Sequence, residues 1–221
     1  MYQLNENPFG LSWEKWAALW CNWSLSIPKG TNPALDITGR HCAVNQNNEN
    51  VWFLTGSFGN LVPINRKCRI PIGRAIFFPV LVKEDSLVED IDLKTDDDLA
   101  NRSRDATNEL LFISASIDDM EIENLEKYRV QSEVFDLKFP KGNVYGVKPG
   151  LTRSVCDGFW LFIKPLEAGE HHIHFEGETA VVDDAIRTFL MNNKVYRKIL
   201  RHLKRNLTFK LDISYEIMIC K

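Results

Sequence analysis

From Thr208 to Cys220 every second residue is apolar or aromatic: Phe209, Leu211, Ile213, Tyr215, Ile217 and Ile219. A period of two sends all six side chains to one face of an extended strand, which no helix can do. A strand with one apolar face needs neighbours in a sheet and a second layer against that face. The rest of the chain supplies both. Val51 to Thr55 is a short apolar run closed by Gly56, Gly59 and Asn60, and Cys68, Ile70 and Ile72 alternate with polar or constrained residues. Ala75 to Val82 reads as a buried strand, and Pro79 inside it predicts a bulge or an edge position. Further strands are expected near Phe112–Ile117 and Glu133–Phe139. Phe159–Ile163, a turn at Pro165–Gly169 and a return over His171–Phe175 predict a β-hairpin.

Helical spacing occurs at three places. After Ser12 as N-cap, Trp13, Trp16, Leu19, Trp20 and Trp23 recur every three or four residues. Their stripe predicts a helix packed on a sheet; a sugar-stacking or membrane-surface face is the alternative. Thr95 and Asp98 form a capping-box pattern before a helix expected from about Asp96 to Leu111. Residues 183–205 predict a third helix, with Asp183 and Asp184 at its start and Ile186, Phe189, Leu190, Ile199, Leu200 and Leu203 on its apolar side. No regular alternation of strand and helix appears, which argues against a doubly wound α/β fold. The expected class is mainly β. It is a β-sandwich or jelly-roll-like single domain over 1–221, with an N-terminal helix, a middle helix and a basic helix before the last strand.

Composition narrows the function classes. Hydrophobic residues make up 44% and charged residues 26%, and the net charge of −3 gives no global signal for nucleic acid. The longest apolar run, Ala75 to Val82, is far short of the ~18 residues that span a bilayer. The first twenty residues lack a basic n-region and an apolar h-region. The expected compartment is the cytoplasm, or the exterior if a leader has been removed.

The five cysteines are Cys21, Cys42, Cys68, Cys156 and Cys220, with no C-x-x-C pair to suggest structural zinc. Cys42 and Cys68 are the disulfide candidate for an oxidising compartment, where a bond would restrict the unfolded chain by about 3.5 kcal/mol. In a reducing cytosol they are two free thiols. Cys21 and Cys220 sit among apolar residues and read as inert.

Three segments carry a family resemblance. One is Trp13–Pro28 leading into Asn32-Pro33 and Asp36-Ile37-Thr38-Gly39; another runs from Val51-Trp52-Phe53-Leu54-Thr55-Gly56 to Cys68-Arg69-Ile70-Pro71-Ile72-Gly73-Arg74-Ala75-Ile76-Phe77-Phe78-Pro79. The third is Cys156-Asp157-Gly158-Phe159-Trp160-Leu161-Phe162 with Pro165-Leu166 and Gly169-Glu170-His171. Together they resemble a family of functionally uncharacterised bacterial and archaeal proteins. The resemblance implies no activity. Its exported members favour a Cys42–Cys68 bond, and against it the basic helix after Asp184 reads as an insertion.

Four constellations could carry chemistry. His172 and His174 share a strand face with Glu176 and Glu178, and His172, His174 and Glu178, with His171 as alternate, are the candidate ligands for a divalent transition metal. The run resembles the first metal motif of cupins without its spaced glycines. Cys156 with one of these histidines is a candidate nucleophilic pair. The acidic segment 84–98 reads as a solvated loop, with Ca²⁺ binding as the alternative. Arg197, Lys198, Arg201, Lys204 and Arg205 form a basic patch suited to a polyanion or acidic partner. Three readings follow in order of preference. The first is a non-enzymatic β-sandwich that binds a small ligand or protein partner. The second is a metal-dependent enzyme, a cupin-like hydrolase or oxygenase using the histidine cluster. The third is an interaction protein using the basic helix.

Overall fold

The computed structural model describes residues 1–60, 62–89, 92–180 and 208–221. The expected basic helix and its patch, Arg197, Lys198, Arg201, Lys204 and Arg205, lie outside the described residues.

Strands β1 (Val51–Phe53), β3 (Ala75–Ser86), β6 (Arg129–Gln131), β7 (Phe135–Phe139) and β8 (Gly150–Ile163) form one sheet in the order β1-β3-β8, with β6 and β7 both on the far side of β8. Strands β2 (Ile64–Pro71), β4 (Leu110–Ile117), β5 (Met120–Glu121), β9 (Gly169–Ala180) and β10 (Thr208–Cys220) form the second, in the order β2-β10-β9-β4-β5. The fold is therefore mainly β, a two-sheet sandwich. Both sheets are mixed, because β1 runs parallel to β3 and β2 parallel to β10.

The expected alternation of β10 sets the inter-sheet core. Leu211, Ile213, Tyr215, Ile217 and Ile219 meet Ile76, Phe78, Leu161 and Ile163 of the first sheet across that core. The outer face of the first sheet is covered as well. Helix α1 (Trp13–Leu25) lays Trp13, Trp16, Trp20 and Trp23 over Phe53, Phe77, Trp160 and Phe162. With both faces buried, the paired halves of β3 (Ala75–Val82) and β8 (Phe159–Ile163) read as continuous apolar runs, whereas β2 alternates buried and exposed residues along its length. Each of the four indoles donates to a backbone carbonyl: Trp13 to Gln3, Trp16 to Pro8, Trp20 to Leu54 and Trp23 to Val44. The tryptophan stripe thus fastens four segments to the sheet instead of presenting a stacking surface to solvent.

Two local expectations hold. The side chain of Thr95 accepts from the Asp98 amide, and the Asp98 carboxylate accepts from the Thr95 amide, capping α2 (Asp96–Asn108) on both sides. Pro79 marks a bulge, where the β3–β8 register shifts between Pro79 and Leu81. Opposite it, Gly158 packs so closely that a Cβ there would lie 2.4 Å from the Leu81 carbonyl oxygen.

One expectation fails. The segments 159–163 and 171–175 are not a hairpin, because β8 belongs to the first sheet and β9 to the second. Both edges of each strand are taken: β8 lies between β3 and the β6/β7 pair, and β9 lies between β10 and β4. The five residues between them carry the chain from one layer to the other.

Candidate functional site

The bulge at Pro79 decides where the acidic end of β3 points. Phe77 faces α1, while Ile76 and Phe78 face the inter-sheet core. Past the bulge the parity is reversed: Leu81 faces the core and Val82 faces α1. Two residues further on, the same period carries Glu84 to the α1 side, opposite Cys156 in the ladder. Glu84, Asp85 and Ser86 are all buried. The acidic segment therefore begins inside the fold, which corrects its reading as a solvated loop. A strand whose first half is buried on both faces does not leave the protein merely because its sequence turns acidic.

Glu84 and Glu89 line a cavity of about 310 Å³. Its walls come from the end of α1 (Trp20, Cys21, Leu25), the loop Thr55–Phe58, β3 (Pro79–Glu84), α2 (Ala106, Thr107), Tyr145 and Val147, and the facing ends of β9 and β10 (Thr179, Ala180, Phe209, Leu211). Most of these residues are apolar, and the carboxyls gather with Tyr145 at the polar end. The Thr55–Gly56 wall is held from behind by Arg66. This guanidinium is almost fully buried and donates to the carbonyls of Thr55, Gly56, Asp36 and Ala34 and to the Tyr215 hydroxyl.

Each carboxyl receives one serine hydroxyl. Ser86 donates to Glu89 Oε2 at 2.6 Å, and Ser154 donates to Glu84 Oε1. Glu84 Oε2 is buried and makes no hydrogen bond of ordinary geometry among the described residues, although the Tyr145 hydroxyl and the Glu89 carboxyl lie against the same group. Burial, then the neighbouring Glu89 charge, pushes the Glu84 pKa well above the usual carboxylate range, against the opposing effect of the Ser154 hydrogen bond. Burial likewise raises Glu89, and although Ser86 and the Lys83 charge pull the other way its pKa reaches about 7. Lying side by side, buried Glu84 and half-buried Glu89 titrate as a pair. Burial and these two acids also raise the phenol of Tyr145, and burial with Cys156 raises the thiol of Cys21. Lys83 is the only cationic residue among the described lining residues, and its ammonium lies 3.8 Å from Asp85 Oδ1.

The histidines lie elsewhere, on β9 of the other sheet. His172, His174, Glu176 and Glu178 do share its outward face, as the spacing predicts, between buried Ile173, Phe175 and Gly177. The strand does not gather them into a ligand set. At about 3.3 Å per residue, His174 and Glu178 are separated by roughly 13 Å and His172 and Glu178 by roughly 20 Å. Among the described residues no group of three His, Cys, Asp or Glu side chains is arranged to hold a metal ion. The rings are used otherwise. His174 Nε2 lies 3.1 Å from Asp212 Oδ1, and His171 bridges Asp118 Oδ2 at 2.7 Å and the Glu167 carbonyl at 3.0 Å. Burial lowers the His171 pKa, but the Asp118 hydrogen bond and charge and the Glu167 carbonyl outweigh it, and the net shift is upward.

The cysteines fall into two contacts. Cys42 and Cys68 are brought together, as the sequence anticipates, but as free thiols joined by a hydrogen bond. The Cys68 thiol and the Arg69 amide stabilise the Cys42 sulfur and, against burial, lower its pKa, while Cys68 is raised by Cys42 and by burial. Cys21 and Cys156 form a second contact, fully buried beneath α1 and not anticipated from sequence. Cys156 also contacts the Ala17 carbonyl, and it sits on the first sheet while the histidines sit on the second, so the Cys–His pairing is not formed.

Sequence reasoning placed Glu84 and Glu89 in a solvated acidic segment and missed Tyr145. A signal was present: after Lys83 alone, Glu84 and Asp85 follow the longest apolar run in the chain without a turn residue. Comparison with family models, with curated proteins and with solved structures found no match. No helix among the described residues is long and apolar enough to cross a membrane.

Proposed function

We propose that this protein is a binding protein whose small, largely apolar ligand occupies the cavity between α1, α2 and the ends of the two sheets. The observation that carries the reading is the pairing of a mostly apolar cavity of about 310 Å³ with a few convergent polar groups at one end. That volume lies at the small end of the range for ligand pockets, and a mainly apolar wall with a few placed polar groups is their usual chemistry. Carboxyls whose pKa is shifted by burial inside a cleft are a recurring feature of functional sites. The site is a walled cavity with a carboxyl pair, not an open groove of exposed aromatics.

Toluene and cyclohexanol are suitable neutral probes, followed by amide chemical shifts and calorimetry. Both are expected to bind and to shift residues of Thr55–Phe58 and α2. The variant Ala106→Phe, which places a ring into the cavity from a half-exposed helix position, is expected to abolish that binding while leaving the fold intact. Failure of both probes to bind, or undiminished binding by Ala106→Phe, would remove the reading.

A further inference from the structure

Resting on that reading of the cavity, we propose that its ligand carries a basic amine, held as a cation by the Glu84–Glu89 pair. The polar end of the cavity is rich in acceptors. Glu84 Oε2 is buried and makes no hydrogen bond of ordinary geometry among the described residues, and Ser154 already serves the other oxygen of the same carboxyl. A buried oxygen left without a hydrogen-bond partner is unfavourable, so a ligand that supplies the partner recovers that cost on binding.

The charge balance selects the kind of donor. Among the described residues the groups facing the pair are Lys83, Asp85 and Ser86 on β3, Ser154 on β8, Cys21 on α1 and Tyr145 on its loop. Lys83 is the one cation among them, and it is shared with Asp85 at 3.8 Å. An anionic ligand would meet two carboxyls and a phenol. A neutral alcohol would gain a single ordinary hydrogen bond. An ammonium has three donors and a charge opposite to the pair, and hydrogen bonds to charged groups are the stronger kind.

The proton balance gives the proposal a signature. Near pH 6 Glu89 holds its proton before binding, and the amine arrives from water as R–NH3+. On binding, Glu89 releases that proton to the buffer and pairs with the ammonium as a carboxylate, while Glu84, raised well above the usual carboxylate range, keeps its own, so no net charge is added to the site. Near pH 6, below the pKa of about 7 at Glu89, about one proton is released for each amine bound. A neutral ligand releases none.

The test compares cyclohexylamine with cyclohexanol, which share a ring, by calorimetry on the full chain at pH 6 in two buffers of different ionisation enthalpy. The amine is expected to bind at least about tenfold more tightly and to release about one proton. Glu84→Gln and Glu89→Gln are each expected to reduce that preference towards unity while cyclohexanol binding persists, and either variant suffices if the other fails to fold. Equal or tighter binding of the alcohol, or amine binding without proton release, overturns the amine proposal and leaves the cavity reading standing. Failure of both compounds to bind overturns the cavity reading, and the amine proposal with it.

Discussion

The histidine face of β9 and the carboxyl pair of β3 are both clusters of ionisable side chains on long central strands, yet they are satisfied in opposite ways. On β9 the partly exposed His171, His174 and Glu176 each have a protein partner: Asp118 for His171, Asp212 for His174, and Ser114 and Lys210 for Glu176. At the end of β3 Glu84 is buried and Glu89, in the loop beyond, is half-buried; each holds one serine, and one oxygen of Glu84 makes no hydrogen bond of ordinary geometry among the described residues. Motif spacing points to the first cluster, but unmet chemical demand points to the second. A dense run of His and Glu is conspicuous in a sequence because such residues are common on wet strand faces, where neighbours and solvent pair them easily. A buried acid is rarer and must be accounted for.

That contrast predicts unequal responses to mutation. The largest effect is expected at the wall behind the cavity. Arg66→Ala takes the guanidinium from the carbonyls of Gly56, Asp36 and Ala34, leaves Thr55 with the Tyr215 hydroxyl alone, and opens a void, at a cost of about 3–5 kcal/mol by denaturant unfolding. A loss below 1 kcal/mol would mean that the wall does not depend on this clamp.

The second effect has the opposite sign. Glu89 carries a folded pKa raised from 4.5 to about 7, so the native state binds its proton more tightly than the unfolded chain does. Its stabilising contribution is complete below pH ~4.5 and is lost as pH rises towards 7, at up to about 1.4 kcal/mol per pH unit. Glu84 shifts in the same direction. Glu89→Gln removes this titration. The variant should match the parent near pH 4.5 and exceed it by about 2–3 kcal/mol at pH 8, a comparison made by urea unfolding at the two pH values. Equal stability at both would place Glu89 in water.

The smallest effects belong to the histidine face. Asp118 stands at φ 50° in a tight turn, a conformation asparagine also tolerates, so Asp118→Asn tests charge without breaking the backbone. The His171 pKa, now raised, should fall in this variant, as read by imidazole NMR. The sign for stability is that of a raised histidine: the contribution is present below its unfolded pKa and disappears as pH rises through the folded value. Asp118→Asn should therefore cost less than about 1 kcal/mol near pH 5.5 and less still at pH 9. His172→Ala should change stability by under about 0.5 kcal/mol. A multi-kcal loss at either position would restore this face as a structural or binding centre.

Legibility in the sequence follows the same division. Elements set by period alone were readable: the alternation of β10, the tryptophan stripe of α1, and the capping box of α2. Pairing was not, because it depends on which strand edges are already occupied. The segments 159–163 and 171–175 look like a hairpin only while β3, β6 and β7 are not known to surround β8. The candidate site was hidden by a further step. The bulge at Pro79 was readable, but its consequence, the reversal of parity that turns Val82 and Glu84 towards α1, requires the register of β8 against β3. The contact between Cys42 and Cys68 was anticipated and that between Cys21 and Cys156 was not, since the latter forms across a helix–sheet interface with no signature in the spacing.

The most direct test of the central claim is carboxyl carbon NMR titration of the unliganded protein, with the Glu84 and Glu89 signals assigned through their glutamine variants. The account predicts that Glu89 titrates near pH 7 and Glu84 above the ordinary carboxylate range, with each titration altered when the other residue is replaced. Two independent titrations at ordinary values between about pH 4 and 5 would contradict it, because they would place both carboxyls in water.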